Sequence, residues 1–201
     1  MLPEHHVIYV PGLNDGRKGY ELFTKWWSIY GVVPHVHRVG WHDGENVFEP
    51  KLKRLVTEIN KYLFGGDKVS LVGGSAGGSA VLNALLEQPE IHTVVNLCGR
   101  LRAGSNVFPS LELAARKSPA FKDSVRMFER RELQMTIEQR RKVLTLSPIW
   151  DEVVPKSTVY LDGATNMTIP SVEHILSGLV GMTLLSPIVM RFIRGTPKPS
   201  N

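Results

Sequence analysis

Short β-branched and aromatic runs alternate along the chain with longer stretches whose apolar residues recur every three or four positions. The first run, His6 to Val10, stops at Pro11-Gly12 and predicts a buried strand followed by a turn. Tyr20 to Tyr30 carries Leu22, Phe23, Trp26, Trp27 and Tyr30 at helical spacing before Gly31 closes it. Val32 to Val39 predicts a second strand, with Trp41-His42-Asp43-Gly44 as its exit loop. Pro50 then opens a helix with Leu52, Leu55, Val56, Ile59 and Leu63 on one face, ended by Gly65-Gly66.

Lys68 to Val72 predicts a third strand, Gly77 to Glu87 a helix stopped by Pro89, and Thr93 to Leu97 a fourth strand. From Ser105 to about Arg141 the chain is charged and helix-compatible without strand signals, which predicts a helical insertion. An apolar run resumes at Val143 to Leu146, followed by a short helix near Lys156 to Leu161 and a strand at Met167 to Ile169. An apolar helix spans about Leu179 to Ile193, and the tail from Gly195 frays. Alternating strands and helices imply an α/β fold: a mostly parallel sheet of about six strands with helices on both faces. Its ligand site is expected beyond the carboxyl ends of the strands.

At 201 residues, 42% hydrophobic and 21% charged, the chain suits one globular domain, residues 1–201. Cys98 is the single cysteine, which rules out an intrachain disulfide and a cysteine zinc cluster and reads as a small buried apolar residue. The N-terminus has no secretory signal pattern, so a cytoplasmic location is expected. Ile175 to Met190, the longest uncharged stretch, is too short and too interrupted by glycine and proline for a bilayer span. The net charge of +5 has its source between Ala114 and Lys142, where nine Lys/Arg face four acids. That run reads as a solvated helical surface or as a device that steers anionic substrates. No motif or aromatic-basic pattern for nucleic acid accompanies it.

Chemistry concentrates in Val69-Ser-Leu-Val-Gly73-Gly74-Ser75-Ala76-Gly77-Gly78, a strand that runs through G-x-S-x-G into a helix. This is the pattern of a nucleophile elbow, a turn so sharp that side chains two positions before and after the serine would collide with strand and helix. A phosphate-cradling loop fits less well, because the Lys of a P-loop is missing. A serine hydroxyl needs a general base, and the base needs an orienting acid. His174, the one histidine after the later strands, is the candidate base, with His42 as fallback. Asp151, in a loop beyond an apolar run, is the candidate acid. Asp162, Glu173 and Glu152 are its rivals. Backbone amides of Leu13 and Ala76 are expected to form an oxyanion hole, and Gly12, Asn14 and Trp41 to meet substrate. His42, Asp43 and Cys98 are further candidates for the pocket wall.

With these residues in view, the chain resembles the α/β-hydrolase superfamily, in particular its compact carboxylesterase and lipase-like members. Val10-Pro11-Gly12-Leu13-Asn14 is similar to the oxyanion loop, and Gly73-Gly74-Ser75-Ala76-Gly77 to the elbow. Trp150 to Pro155 is similar to the acid loop, and Glu173-His174 to the histidine loop. The resemblance implies ester hydrolysis through an acyl-enzyme, a small-molecule ester or thioester as substrate, and neither cofactor nor metal. Residues 100–142 occupy the place of that family's helical cap. Two departures stand out: the family's first antiparallel hairpin has no counterpart, and position 74 is Gly where many members carry His, Asp or Glu. An acyl thioesterase and a catalytically idle binding module of the same fold are the alternative readings, and a membrane-surface lipase is a third, resting on the apolar C-terminal helix with Arg191 and Arg194 at its end, which core packing explains better.

Overall fold

The computed structural model describes residues 3–16, 18–171 and 182–195. Six strands form one sheet: β1 (His5–Val10), β2 (Val33–Val36), β3 (Lys68–Gly74), β4 (Val94–Leu97), β5 (Val143–Pro148) and β6 (Thr165–Ile169). Their order is β2-β1-β3-β4-β5-β6, and every pairing is parallel. β1 and β3 align Val10 with Gly73, so the loops after these two strands leave the sheet side by side. The order reverses between them, which opens a crevice at their carboxyl ends.

Strand alternation sends residues to two cores. Ile8, Val10, Val69 and Leu71 face α2 (Glu49–Leu63) and α3 (Gly77–Glu87), whereas Val7, Tyr9, Val72 and Leu146 face the opposite layer. That second layer holds α1 (Tyr20–Lys25), the 3₁₀ turn Trp26–Tyr30 and, at the chain's end, a helix at Ser186–Arg194. α3 is buried on almost all sides, as expected of a helix wedged between the sheet and its neighbours.

The insertion contains α4 (Leu111–Ala114), α5 (Pro119–Arg131) and α6 (Ile137–Arg141); the terminal helix Ser186–Arg194 is α7. α5 is no loose excursion. Its Phe121, Val125 and Phe128 are buried in the same core as α2 and α3, and Ser124 Oγ lies 2.7 Å from Ser79 Oγ of α3. Ser118 and Thr136 cap α5 and α6 through their side chains. Several expected elements differ in extent. The Tyr20–Tyr30 helix tightens to 3₁₀ geometry from Trp26, and the second strand shortens to four residues, followed by one last bond from the His37 amide to the Tyr9 carbonyl at 2.9 Å. The helix expected at Lys156–Leu161 is one 3₁₀ turn. Of the helix expected from Leu179, residues 179–181 lie outside the described ones.

At the amino-terminal edge of the sheet, histidines meet. His5 Nε2 lies 2.9 Å from Ser70 Oγ, and its ring sits edge-on to His92. Burial first, then the charges of His92, Lys68, His6 and Arg194, lowers the His5 pKa to about 4. Burial lowers His92 as well. The unfolded state therefore binds more protons than the folded state between about pH 6.5 and pH 4, so stability falls as pH drops through that window. After allowance for partial exposure, His5 contributes about 2 kcal/mol of this loss. His5→Gln should flatten the decline of Tm between pH 7 and pH 4.5, and an unaltered slope would refute this assignment.

Candidate active site

Ser75 follows the last residue of β3 and precedes α3 by two positions, and its φ of 52° lies in the left-handed region, where a non-glycine residue is strained. Two backbone bonds hold it there: its amide donates to the Leu97 carbonyl at 2.9 Å, and its carbonyl accepts from the Gly78 amide at 2.9 Å. The flanking glycines have steric causes. A Cβ on Gly77 would stand 2.0 Å from the Val10 carbonyl oxygen, and one on Gly73 would stand 2.4 Å from the Gly77 carbonyl oxygen. Helix α3 thus approaches β1 at Gly77 and β3 at Gly73 too closely for a side chain at either position.

The loop after β1 reaches the same place. A Cβ on Gly12 would lie 2.8 Å from Ser75 Cβ and 3.3 Å from its Oγ, so the Gly12 backbone rests against the serine side chain. That loop is tied down from behind. Asp15, a buried carboxylate, accepts from the Gly40 amide at 2.6 Å and the Trp41 amide at 3.3 Å, and the Trp41 indole donates to the Pro11 carbonyl at 3.1 Å. Lys51, whose ammonium is fully buried, donates to the Gly40 carbonyl at 2.7 Å and to Asp43 at 2.6 Å. A buried ammonium is tolerated only with such partners. Trp41→Phe removes the indole donor and leaves the Pro11 carbonyl unsatisfied. It is expected to lower stability by about 1–3 kcal/mol, read as an earlier urea midpoint at constant slope.

Asp151 stands in the loop after β5 and is half-buried. Its Oδ1 accepts from the amides of Val153 and Val154, each at 2.8 Å, which curls the loop around the carboxylate. The amide of Ile149 bonds to the carbonyls of Ile169 and Ser171, so this loop is stitched to the end of β6. Cys98, buried at the end of β4, has its thiol pushed up to about 12, first by burial and then by the negative charge of Asp151. The carboxylate therefore lies within electrostatic reach of the residue that follows Leu97, the acceptor of the Ser75 amide.

No protein-family model and no curated protein matches this chain. Solved structures do. One belongs to LipS and LipT, two metagenome-derived lipolytic enzymes: TM-score 0.67 at 14% identity, over 96% of this chain and 94% of that one. Another is the monoacylglycerol lipase of Paleococcus ferrophilus, with TM-score 0.65 and 18% identity over 94% and 93% of the two chains. A third, from Xanthomonas campestris, is assigned by name to the α/β hydrolase superfamily, with TM-score 0.62 and 14% identity over 96% and 99%. The chain has the α/β-hydrolase fold. At these identities the likeness establishes the fold alone.

Within that fold the expected residues distribute as follows. Ser75, Ala76, Gly12, Leu13, Asn14 and Asp151 all stand at the carboxyl edge of the sheet, in the loops after β3, β1 and β5. His174 and its neighbour Glu173 lie outside the described residues. Trp41, expected to meet substrate, is 2% exposed, and its indole supports the Gly12 loop from behind. Asp162 stands with Gly163 in the turn before β6, at the opposite edge from Ser75. His42, the fallback base, is exposed and meets the Lys117 carbonyl at 3.0 Å. Gly74 has a local reason: a Cβ there would lie 2.5 Å from the hydroxyl of Tyr9, so an acidic residue or histidine would displace that buried phenol.

Asp15, Lys51 and Asn96 were not singled out by sequence. Asn96 bonds both the amide and the carbonyl of Gly99, shaping the turn after β4 next to the elbow. An acid three residues beyond Pro11-Gly12 was the one signal available for Asp15. Among the described residues, no helix is long and apolar enough to cross a membrane.

Proposed function

We propose that the chain is a serine hydrolase that cleaves a small or medium carboxylic ester through an acyl-enzyme. Ser75 is the nucleophile, His174 the general base and Asp151 the acid that orients the imidazole. The observation that carries this reading is the strained Ser75, held at φ 52° between two sterically required glycines with Gly12 against its side chain. Such strain persists where the surroundings over-determine it, and its use is to project a hydroxyl out of the turn.

In the mechanism, Ser75 Oγ attacks the acyl carbonyl while His174 takes its proton and then returns it to the leaving alcohol. Water repeats the sequence on the acyl-enzyme. Ala76 precedes the first turn of α3, where amides have no intrahelical carbonyl, and its N–H supplies one oxyanion donor. The Leu13 amide, beside Gly12, supplies the other. Asp151 is suited to its role because the Val153 and Val154 amides stabilise it as a carboxylate. Residues 100–142 act as the cap: α5 is anchored on α3, and buried Arg100 clamps the preceding loop by donating to the carbonyls of Arg102, Ala103 and Pro109. In the basic stretch, Arg126, Arg131, Arg140 and Lys142 already engage carboxylates or carbonyls, which favours a neutral ester over a steered anionic thioester.

The test is labelling of purified protein with a fluorophosphonate, located by peptide mapping. Modification of Ser75 that is lost in His174→Ala supports the proposal. A folded protein that stays unlabelled would replace it with the idle binding module.

A further inference from the structure

α1 with its 3₁₀ turn and α7 lie side by side over one face of the sheet. The Trp27 indole donates to the Met182 carbonyl at 3.1 Å, and Tyr30 Oη lies 3.2 Å from Ser186 Oγ. Both segments bury one flank in a common core, through Trp27 on one side and Val189, Met190 and Ile193 on the other. Their outer flanks consequently face the same way, and those flanks are apolar. Leu22, Trp26 and Ile29, spaced i, i+4 and i+7, are 65%, 69% and 70% exposed. Leu184 and Ile188, four residues apart along the second segment, are 77% and 41% exposed. Scattered exposed apolar residues need no explanation, but a stripe of large ones beside a second pair does.

Charge identifies what such a face can meet. In residues 20–30 and 182–195 the charged side chains are Glu21, Lys25, Arg191 and Arg194. Glu21 is taken up by Arg38, with 2.6 Å between Oε1 and Nη1. The apolar face is thus bordered by the cations Lys25, Arg191 and Arg194, all exposed. A second copy docked on it by two-fold symmetry would set cation-rimmed patch against cation-rimmed patch. An anionic lipid surface satisfies both properties at once: headgroups pair with the cations while leucine, isoleucine and tryptophan enter the interfacial layer, where the indole is well suited.

We propose that this face docks the protein onto anionic membranes. α1 starts beside the candidate site, since the Tyr20 hydroxyl reaches the Asn14 carbonyl at 3.4 Å, so docking brings the Gly12 loop toward the lipid. That placement makes a membrane-dissolved ester the substrate class, a step that rests on the hydrolase reading; the docking itself does not.

The experiment is co-sedimentation of the full chain with vesicles of phosphatidylcholine alone or with about 30% phosphatidylserine. Expected is pelleting with the anionic vesicles, weakened by salt and reduced about tenfold or more in Trp26→Glu and in Lys25→Glu/Arg191→Glu. Because these side chains are exposed, the variants should keep the parent's Tm and its turnover of a water-soluble ester. Equal pelleting of parent and Trp26→Glu, or no pelleting of folded parent, overturns docking. So does light scattering that shows a dimer lost in Trp26→Glu without any vesicle binding. Vesicle binding by a protein that hydrolyses nothing would sustain docking and sink the hydrolase reading alone.

Discussion

Ser75→Ala is expected to lower kcat for a short carboxylic ester by about 10⁴-fold to 10⁶-fold, with Tm nearly unchanged. The substitution deletes one oxygen and leaves the backbone at φ 52°, a conformation that alanine tolerates no worse than serine, so the elbow should persist. His174→Ala should cost as much, because a serine without its base is as idle as a base without its serine. Asp151→Asn should cost less than either, and it is cleaner than Asp151→Ala because an amide oxygen still accepts from the Val153 and Val154 amides. Residual activity could not be credited to the nearby thiol. Cys98 is pushed up to about 12, which leaves only about one molecule in 10⁵ as thiolate at neutral pH. If Ser75→Ala kept more than a tenth of the parent's turnover, the assigned nucleophile would be wrong.

The pattern of short apolar runs and helical stripes was enough to place the six strands and the main helices. Hydrophobic period marks the one buried face of α2 and α5, and unbroken apolar runs mark β1, β3, β4 and β5, which are buried on both faces. Element ends were less legible. The second strand was expected to reach Val39, yet β2 ends at Val36; His37 gives one last amide bond to the Tyr9 carbonyl while its ring pairs with Glu58 of α2. A contact with a helix 21 positions later leaves no mark in a local window. The elbow was legible for the opposite reason, because G-x-S-x-G is a contiguous pattern: Gly77 excludes a side chain from Gly73 within the same five residues, although the exclusion at Gly77 comes from the distant Val10. The burial of Trp41 was not legible, since an aromatic in a loop near a candidate site reads as a pocket wall. Its environment is made by Phe48, stacked against it from just before α2, and by Phe121 of α5, edge-on and eighty positions away. Lys51 was invisible as a buried cation: on a helical wheel it is one more solvated lysine of an amphipathic helix.

Gly77→Ala is expected to be the most destabilising single-methyl change at the site, costing about 3–5 kcal/mol, enough to unfold a marginally stable domain. The added Cβ would meet the Val10 carbonyl oxygen at 2.0 Å and the Pro11 carbonyl oxygen at 3.0 Å. Neither atom is the end of a flexible side chain. Val10 is the last residue of a strand held between β2 and β3, so relief requires moving β1 or withdrawing α3, and α3 is packed against sheet and α5. Helix propensity alone would favour the alanine by about 1 kcal/mol, which the collision outweighs. Gly16→Ala supplies the control: a Cβ there meets nothing within 4 Å, and stability should change by less than about 0.5 kcal/mol. Urea unfolding of the two variants decides the matter. Comparable midpoints for Gly77→Ala and Gly16→Ala would mean that strand and helix do not approach as closely as the elbow requires, and the strain assigned to Ser75 would lose its cause.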